Sequence, residues 1–218
     1  MVSIIDVDTE TLMAFMIDAI GKQADFYGPV YSRLFAKNVV EFVGKKVNDP
    51  NPPQLSTLEG AKDYIAKNLG EYPDGFCAII YGSTVTQKTL EGGIGAVSRP
   101  TFETAAKKMA SESVSANTVN TTDALKQALE LQKSMHLYAS EQSVSGDGET
   151  AIVKNEGCHF RDACEAIAKA GICLKSGEFE CVIAKAGATS TEMATGVPHN
   201  FKIVEFKPPS CVFKIFKA

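Results

Sequence analysis

Along residues 9–70 the apolar positions recur at helical spacing. Leu12, Phe15, Met16, Ala19 and Ile20 fall at three- and four-residue intervals behind Thr9, a residue type that caps helices, so the spacing predicts a first helix. Gly28-Pro29 interrupts it, because glycine leaves the helical region freely and proline starts helices better than it continues them. Tyr31, Leu34, Phe35, Val39 and Phe42 then mark one face of a second helix that runs to the neighbourhood of Gly44. The prolines of NDPNPPQ (48–54) predict a loop, and Thr57 opens a third helix with Leu58, Ala61, Ile65 and Leu69 on its inner face.

The pattern changes at Gly75. FCAIIYG and STVTQKTLE are rich in β-formers and weakly alternating, which predicts two strands joined at Gly82-Ser83. GGIGAVSRP (92–100) reads as a turn and cap before the helix TFETAAKKMA, and TTDALKQALELQKSMHLY (121–138) reads as a further helix. SEQSVSGDGETAIVKN predicts a hairpin turning at Gly146-Asp147-Gly148, followed by a helix over 160–170 and an alanine-rich helix over 178–195. NFKIVEF and CVFKIFK complete the chain as two strands. Helices come first, and strands and helices then mix without a βαβ rhythm. The expected fold is therefore α+β, one domain over 1–218, with a helical N-terminal subdomain (1–72) and helices packed on an antiparallel sheet in the remainder (73–218).

Composition narrows the function classes. The 218 residues carry 22 Lys plus Arg against 26 Asp plus Glu, and only Arg33, Arg99 and Arg161 supply guanidinium groups. That balance argues against a nucleic-acid binder, which needs a basic surface. No apolar run is long enough to span a bilayer. The start MVSIIDVDTETLM lacks the layout of a signal peptide, so the expected location is cytoplasmic, where thiols stay reduced. The six cysteines are then not three disulfides, and without a CxxC pair they spell neither a zinc ribbon nor a thioredoxin motif.

Candidate chemistry centres on NEGCHFRDACEAIAKAGICLKSGEFECV (155–182), which holds Cys158, Cys164, Cys173 and Cys181. Cys164 shares a helix face with Phe160, Ala163 and Ile167 and reads as packing. Cys158 precedes that helix at a strand-to-helix junction, where N–H groups lower a thiol pKa, so it is the candidate nucleophile. Cys181 lies on a small-residue strip with Ala184 and Ala188 that admits a helix or a ligand, while Cys77 and Cys211 are expected in strand cores. His136, at the edge of an apolar helix face, is a candidate ligand-pocket residue, and His199 in VPHN is expected to be exposed. The glycines of 92–100 lack both the GxGxxG fingerprint and the lysine of a P-loop.

The order CHFRDACEAIAKAG, CVIAKAGATSTEMATG (181–196), FKIVEF and CVFKI (211–215) resembles the 4-vinyl reductase-like domain family, with 155–218 carrying the resemblance. The matching features are Cys181, the Thr195-Gly196 turn, Glu205 and Cys211-Val212-Phe213. The resemblance implies an α+β fold related to ligand-binding domains of nitric-oxide signalling and Golgi transport. It also implies a homodimer that encloses a small hydrophobic or tetrapyrrole-like molecule, with Ala184 and Glu205 joining His136 at the ligand. Sensor members hold zinc with three cysteines, which makes Cys181 and Cys211 the implied metal ligands. The third cysteine is missing here, since Phe206, Lys207, Pro208, Pro209 and Ser210 fill that interval. A similar pattern occurs in a thiazoline carboxylate hydrolase-like family. The alternative is therefore a thiol-dependent hydrolase or reductase acting through Cys158, with His136 rather than the adjacent His159 as base.

Overall fold

A computed structural model of the chain describes residues 9–70, 72–90, 120–134, 139–172, 181–207 and 210–218. The turn-and-cap segment 92–100, the helix expected after it, His136 and Cys173 all lie outside the described residues. Within them the fold is α+β: seven helices and a four-stranded antiparallel sheet.

The first three helices follow the apolar spacing. Helix α1 (Thr9–Tyr27) stops at Gly28, whose φ of 71° suits glycine, and α2 (Pro29–Val47) begins with Pro29 in its first turn. Asn48 ends α2 in the left-handed conformation. Thr57 caps α3 (Leu58–Leu69) by accepting the Gly60 N–H at 3.1 Å.

Helix α4 (Asp74–Leu90) corrects the sequence reading, which expected two strands here. Twelve of its residues are buried, from Gly75 through Thr84 and then Thr86 and Gln87. A helix covered nearly all round shows no amphipathic period, and a continuous apolar run then looks like a strand. Gly82, expected at a turn, instead lets α4 approach α2. A Cβ there would stand 2.7 Å from Val39 Cγ2 and 3.0 Å from Phe35 Cε2. Cys77 accordingly sits in the core of a helix, not of a strand.

The second half is built on β1 (Ala139–Gly146), β2 (Thr150–Cys158), β3 (His199–Lys207) and β4 (Ser210–Lys217), in the order β1-β2-β4-β3 with every pair antiparallel. The β1–β2 hairpin turns where expected. Asp147 Oδ1 accepts the N–H groups of Glu149 and Thr150 at 3.0 and 2.9 Å, and Gly148 takes a φ of 96°. One face of the sheet is buried through Ala151, Val153, Asn155, Ile203, Phe213 and Ile215, whereas Ile152 and Val204 point outward. Helices α5 (Thr121–Ser134) and α7 (Val182–Thr195) cover the buried face. Gly187 of α7 lies so close to it that a Cβ would stand 2.9 Å from Ile215 Cδ1.

His199 is a second correction: it is buried, not exposed. Its Nδ1 donates to Val197 O at 2.6 Å, because a carbonyl only accepts, and its Nε2 meets Thr121 Oγ1 at 2.9 Å. That pair ties the start of β3 to the start of α5, a contact that no local pattern announces.

The helical layer meets the sheet at α6 (Arg161–Lys169), which packs on α4. Phe76 and Phe160 pack with their rings tilted by 34°, 5.0 Å between centroids, and Tyr72 meets Phe160 edge-on at 6.1 Å. Lys46 Nζ joins Asp74 at 2.7 Å and Asp162 at 2.6 Å, linking α2, α4 and α6. No described helix is long and apolar enough to cross a membrane.

Candidate functional site

The sheet, α4, α6 and α7 bring five cysteines to one place. Cys77 comes from α4, Cys158 from the end of β2, Cys164 from α6, Cys181 from the residue before α7, and Cys211 from the start of β4. Cys164 lies within electrostatic reach of the other four. All five are free thiols. Cys164, expected as packing, does pack against the core, and it also feels the other four thiols.

Local backbone explains how Cys158 gets there. Along β2 the residues 151, 153 and 155 face the core, so strict alternation would turn position 158 away from it. Gly157 adopts a φ of 64°, a conformation open to glycine, and the chain turns so that Cys158 packs against the core.

The thiols are far from reactive. Burial pushes Cys158 up to about 12, against a smaller lowering from the Phe160 N–H that bonds it. The helix-start N–H expected to activate Cys158 is thus present, but desolvation outweighs it, and the direction is opposite to that of a nucleophile. Burial likewise raises Cys77 to about 12 and raises Cys164, Cys181 and Cys211. Cys77 donates to His159 O at 3.4 Å, and His159 Nδ1 turns to the Tyr72 hydroxyl at 3.3 Å.

Cys181 is raised by burial first and then by the neighbouring Cys211, whereas Cys211 is raised by burial and lowered by Asn155. A zinc site needs three or four converging ligands with the thiols ionised. Among the described residues no group of three or more His, Cys, Asp or Glu side chains could hold a metal ion. Asn155, opposite Cys211 in the sheet, donates from Nδ2 to Cys211 Sγ at 3.8 Å, while its Oδ1 accepts from Gln142 at 2.9 Å. Glu205 is half-buried at a register shift in β3 and pairs with Lys207. The residues described here do not fit zinc.

Of the expected ligand-pocket residues, Ala184 lies fully buried in α7 and Glu205 on the edge strand β3, and His136 is outside the described residues. Two polar groups that no sequence motif marks are more informative. Tyr31 Oη and Thr84 Oγ1 are buried in the helical layer with no hydrogen-bond partner among the described residues. Nearby, Asn38 Nδ2 donates to Thr86 Oγ1 at 2.9 Å, so α2 and α4 do satisfy other polar groups between them. Reading 74–90 as a helix would have exposed the signal, because Ser83, Thr84, Thr86 and Gln87 form a polar stretch inside an otherwise apolar buried helix.

Comparison with protein-family models, curated proteins and solved structures returned no match.

Proposed function

We propose that this chain is a small-molecule-binding domain of the 4-vinyl reductase-like kind, enclosing a largely apolar molecule that carries a hydrogen-bonding group. The observation that carries this reading is Tyr31 Oη of α2 and Thr84 Oγ1 of α4, both buried without partners among the described residues. A buried polar group left unsatisfied costs about 1–3 kcal/mol, so native chains keep few of them without a use. A ligand with one or two polar atoms in an apolar body is the chemistry that such a site takes. The α+β architecture, helices laid on an antiparallel sheet, is the class that this reading requires.

The thiol-enzyme reading has one supporting feature, the Phe160 N–H on Cys158. Among the described residues the only histidine beside it, His159, addresses Tyr72, His136 lies outside them, and desolvation holds the thiol protonated. Binding is therefore the better account.

The test is native mass spectrometry of the purified chain together with a thermal-shift screen of aromatic, isoprenoid and tetrapyrrole compounds. A co-purifying molecule, or stabilisation by one class that is lost in Tyr31→Phe and Thr84→Val, is the expected result. A chain that carries nothing and responds to no member of the screen defeats the proposal.

A further inference from the structure

A cleft of about 360 Å³ opens between the second half of α2 and α6, away from the two orphaned groups of the helical layer. That volume falls in the range of small-ligand sites. One end is closed by Lys46, which spans from α2 to Asp162 at 2.6 Å.

Beyond that bridge, both walls carry charges of both signs. Helix α2 presents Glu41 and Lys45, and α6 presents Glu165 and Lys169. These charges are paired within each wall or left open, not paired across the cleft. Lys45 Nζ lies 2.7 Å from Glu41, and Glu165 lies 3.8 Å from Arg161 of its own helix. The ion pairs described on α6 join Asp162 and Glu165 to Arg161 and Asp162 to Lys46, and none of them includes Lys169. Exposed pairs of this kind are worth little and exchange readily with a better partner.

Tyr81 of α4 forms the floor beside Phe42, their rings 5.2 Å apart. Tyr81 is only 5% exposed, and what it exposes lines the cleft. A phenol on the wall of a cleft offers an apolar ring and a polar tip to a group that arrives from outside.

We infer that this cleft binds a small zwitterion with an aromatic or aliphatic body, a molecule of the α-amino-acid type. Three acidic groups (Glu41, Asp162, Glu165) face three basic ones (Lys45, Lys46, Lys169), so the lining is neutral overall and holds both signs. A plain anion would meet the carboxylates, and a plain cation would meet the lysines. A zwitterion satisfies both walls, with its carboxylate at Lys169 and Lys45 and its ammonium at Glu41 and Glu165. The apolar body rests on Tyr81 and Phe42, and the Tyr81 hydroxyl donates to the carboxylate.

The test is calorimetric titration of the full chain with L-phenylalanine, 2-phenylethylamine and 3-phenylpropanoate. L-Phenylalanine binds saturably, and each single-charge analogue binds at least ~10-fold more weakly, the loss expected for one charged hydrogen bond. Tyr81→Phe and Lys169→Met each weaken L-phenylalanine by ~5- to 10-fold, while Lys22→Met, on α1, leaves it unchanged. Absence of saturable binding by L-phenylalanine overturns the inference. So does equal affinity for all three compounds, or unaltered affinity in both Tyr81→Phe and Lys169→Met.

Discussion

Lys46 Nζ lies 2.6 Å from Asp162 Oδ2, joining two residues 116 positions apart and fastening α2 to α6. The same ammonium holds Asp74 at 2.7 Å, so one partly buried cation links three helices. Desolvation is the largest influence on Lys46 and lowers its pKa, but the two carboxylate bonds together outweigh it and the net direction is upward. On Asp162 the hydrogen bond from Lys46 is the leading cause, and the carboxyl is held below its ordinary value.

A depressed carboxyl contributes stability above its unfolded pKa, about 3.9, and loses it as pH falls through the lower folded value. Lys46→Met therefore costs about 1 kcal/mol at pH 7, a partly exposed network being worth no more. The gap from the parent chain narrows below about pH 3. Urea unfolding at both pH values measures it, and an equal gap at both would show that the bridge does not contribute.

The thiol group predicts alkaline lability. Cys77 and Cys158 stand at about 12 in the fold, against about 8.5 for an exposed thiol. Their raised values stabilise the fold below the unfolded pKa. That stability is lost as pH climbs between the two values, because only the unfolded chain gives up its protons. Each thiol removes up to about 1.4 kcal/mol per pH unit above pH 9, and Cys158→Ala flattens the slope by that amount. Unfolding free energies at pH 8 and pH 10 check this. Iodoacetamide should label the native chain far more slowly than the denatured one at pH 8, and rapid native labelling of Cys158 would revive the thiol-enzyme reading.

Two glycines on buried helix faces should respond differently to alanine. At Gly82 the new Cβ meets Val39 and the Phe35 ring at 2.7 and 3.0 Å, and both neighbours are stiff. At Gly187 it meets the Cδ1 ends of Ile215 and Leu125, which can swing away. Alanine gains about 1 kcal/mol of helix propensity at either position, and overpacking costs about 1–3 kcal/mol where nothing yields. Gly82→Ala is therefore net destabilising and Gly187→Ala close to neutral. Chemical denaturation of both variants decides, and the reverse order would mean that the α2–α4 contact is looser than its distances indicate.

Thr84→Val separates an unused hydroxyl from a satisfied one. Removing an orphaned buried hydroxyl while keeping the side-chain shape relieves about 1 kcal/mol in the ligand-free chain. The same change weakens any ligand that bonds Oγ1. If the ligand-free variant is instead less stable than the parent, Thr84 already has its partner and the proposed ligand contact falls.

How legible the molecule is in its sequence depends on which surfaces each element shows. Helices α1 to α3, α5 and α6 keep a solvent face, so their apolar positions recur at a helical period and could be read directly. The turn at Asp147-Gly148 and the last two strands were legible for the same local reason, through turn chemistry and β-rich runs. Helix α4 was not, because burial on nearly all sides erases the period that distinguishes helix from strand. Glu205 and Ala184 could be marked by order along the chain, but order does not say that one lies on an edge strand and the other in the core.

The cysteines divide in the same way. Sequence alone determined that the segment 155–182 is rich in thiols and that Cys158 sits between a strand and a helix. Only the tertiary structure decided that Cys77 and Cys211 join Cys158, Cys164 and Cys181, and that all five are held protonated. The reason is physical: neighbours and desolvation are set by what packs across the chain, and a local pattern carries no record of either.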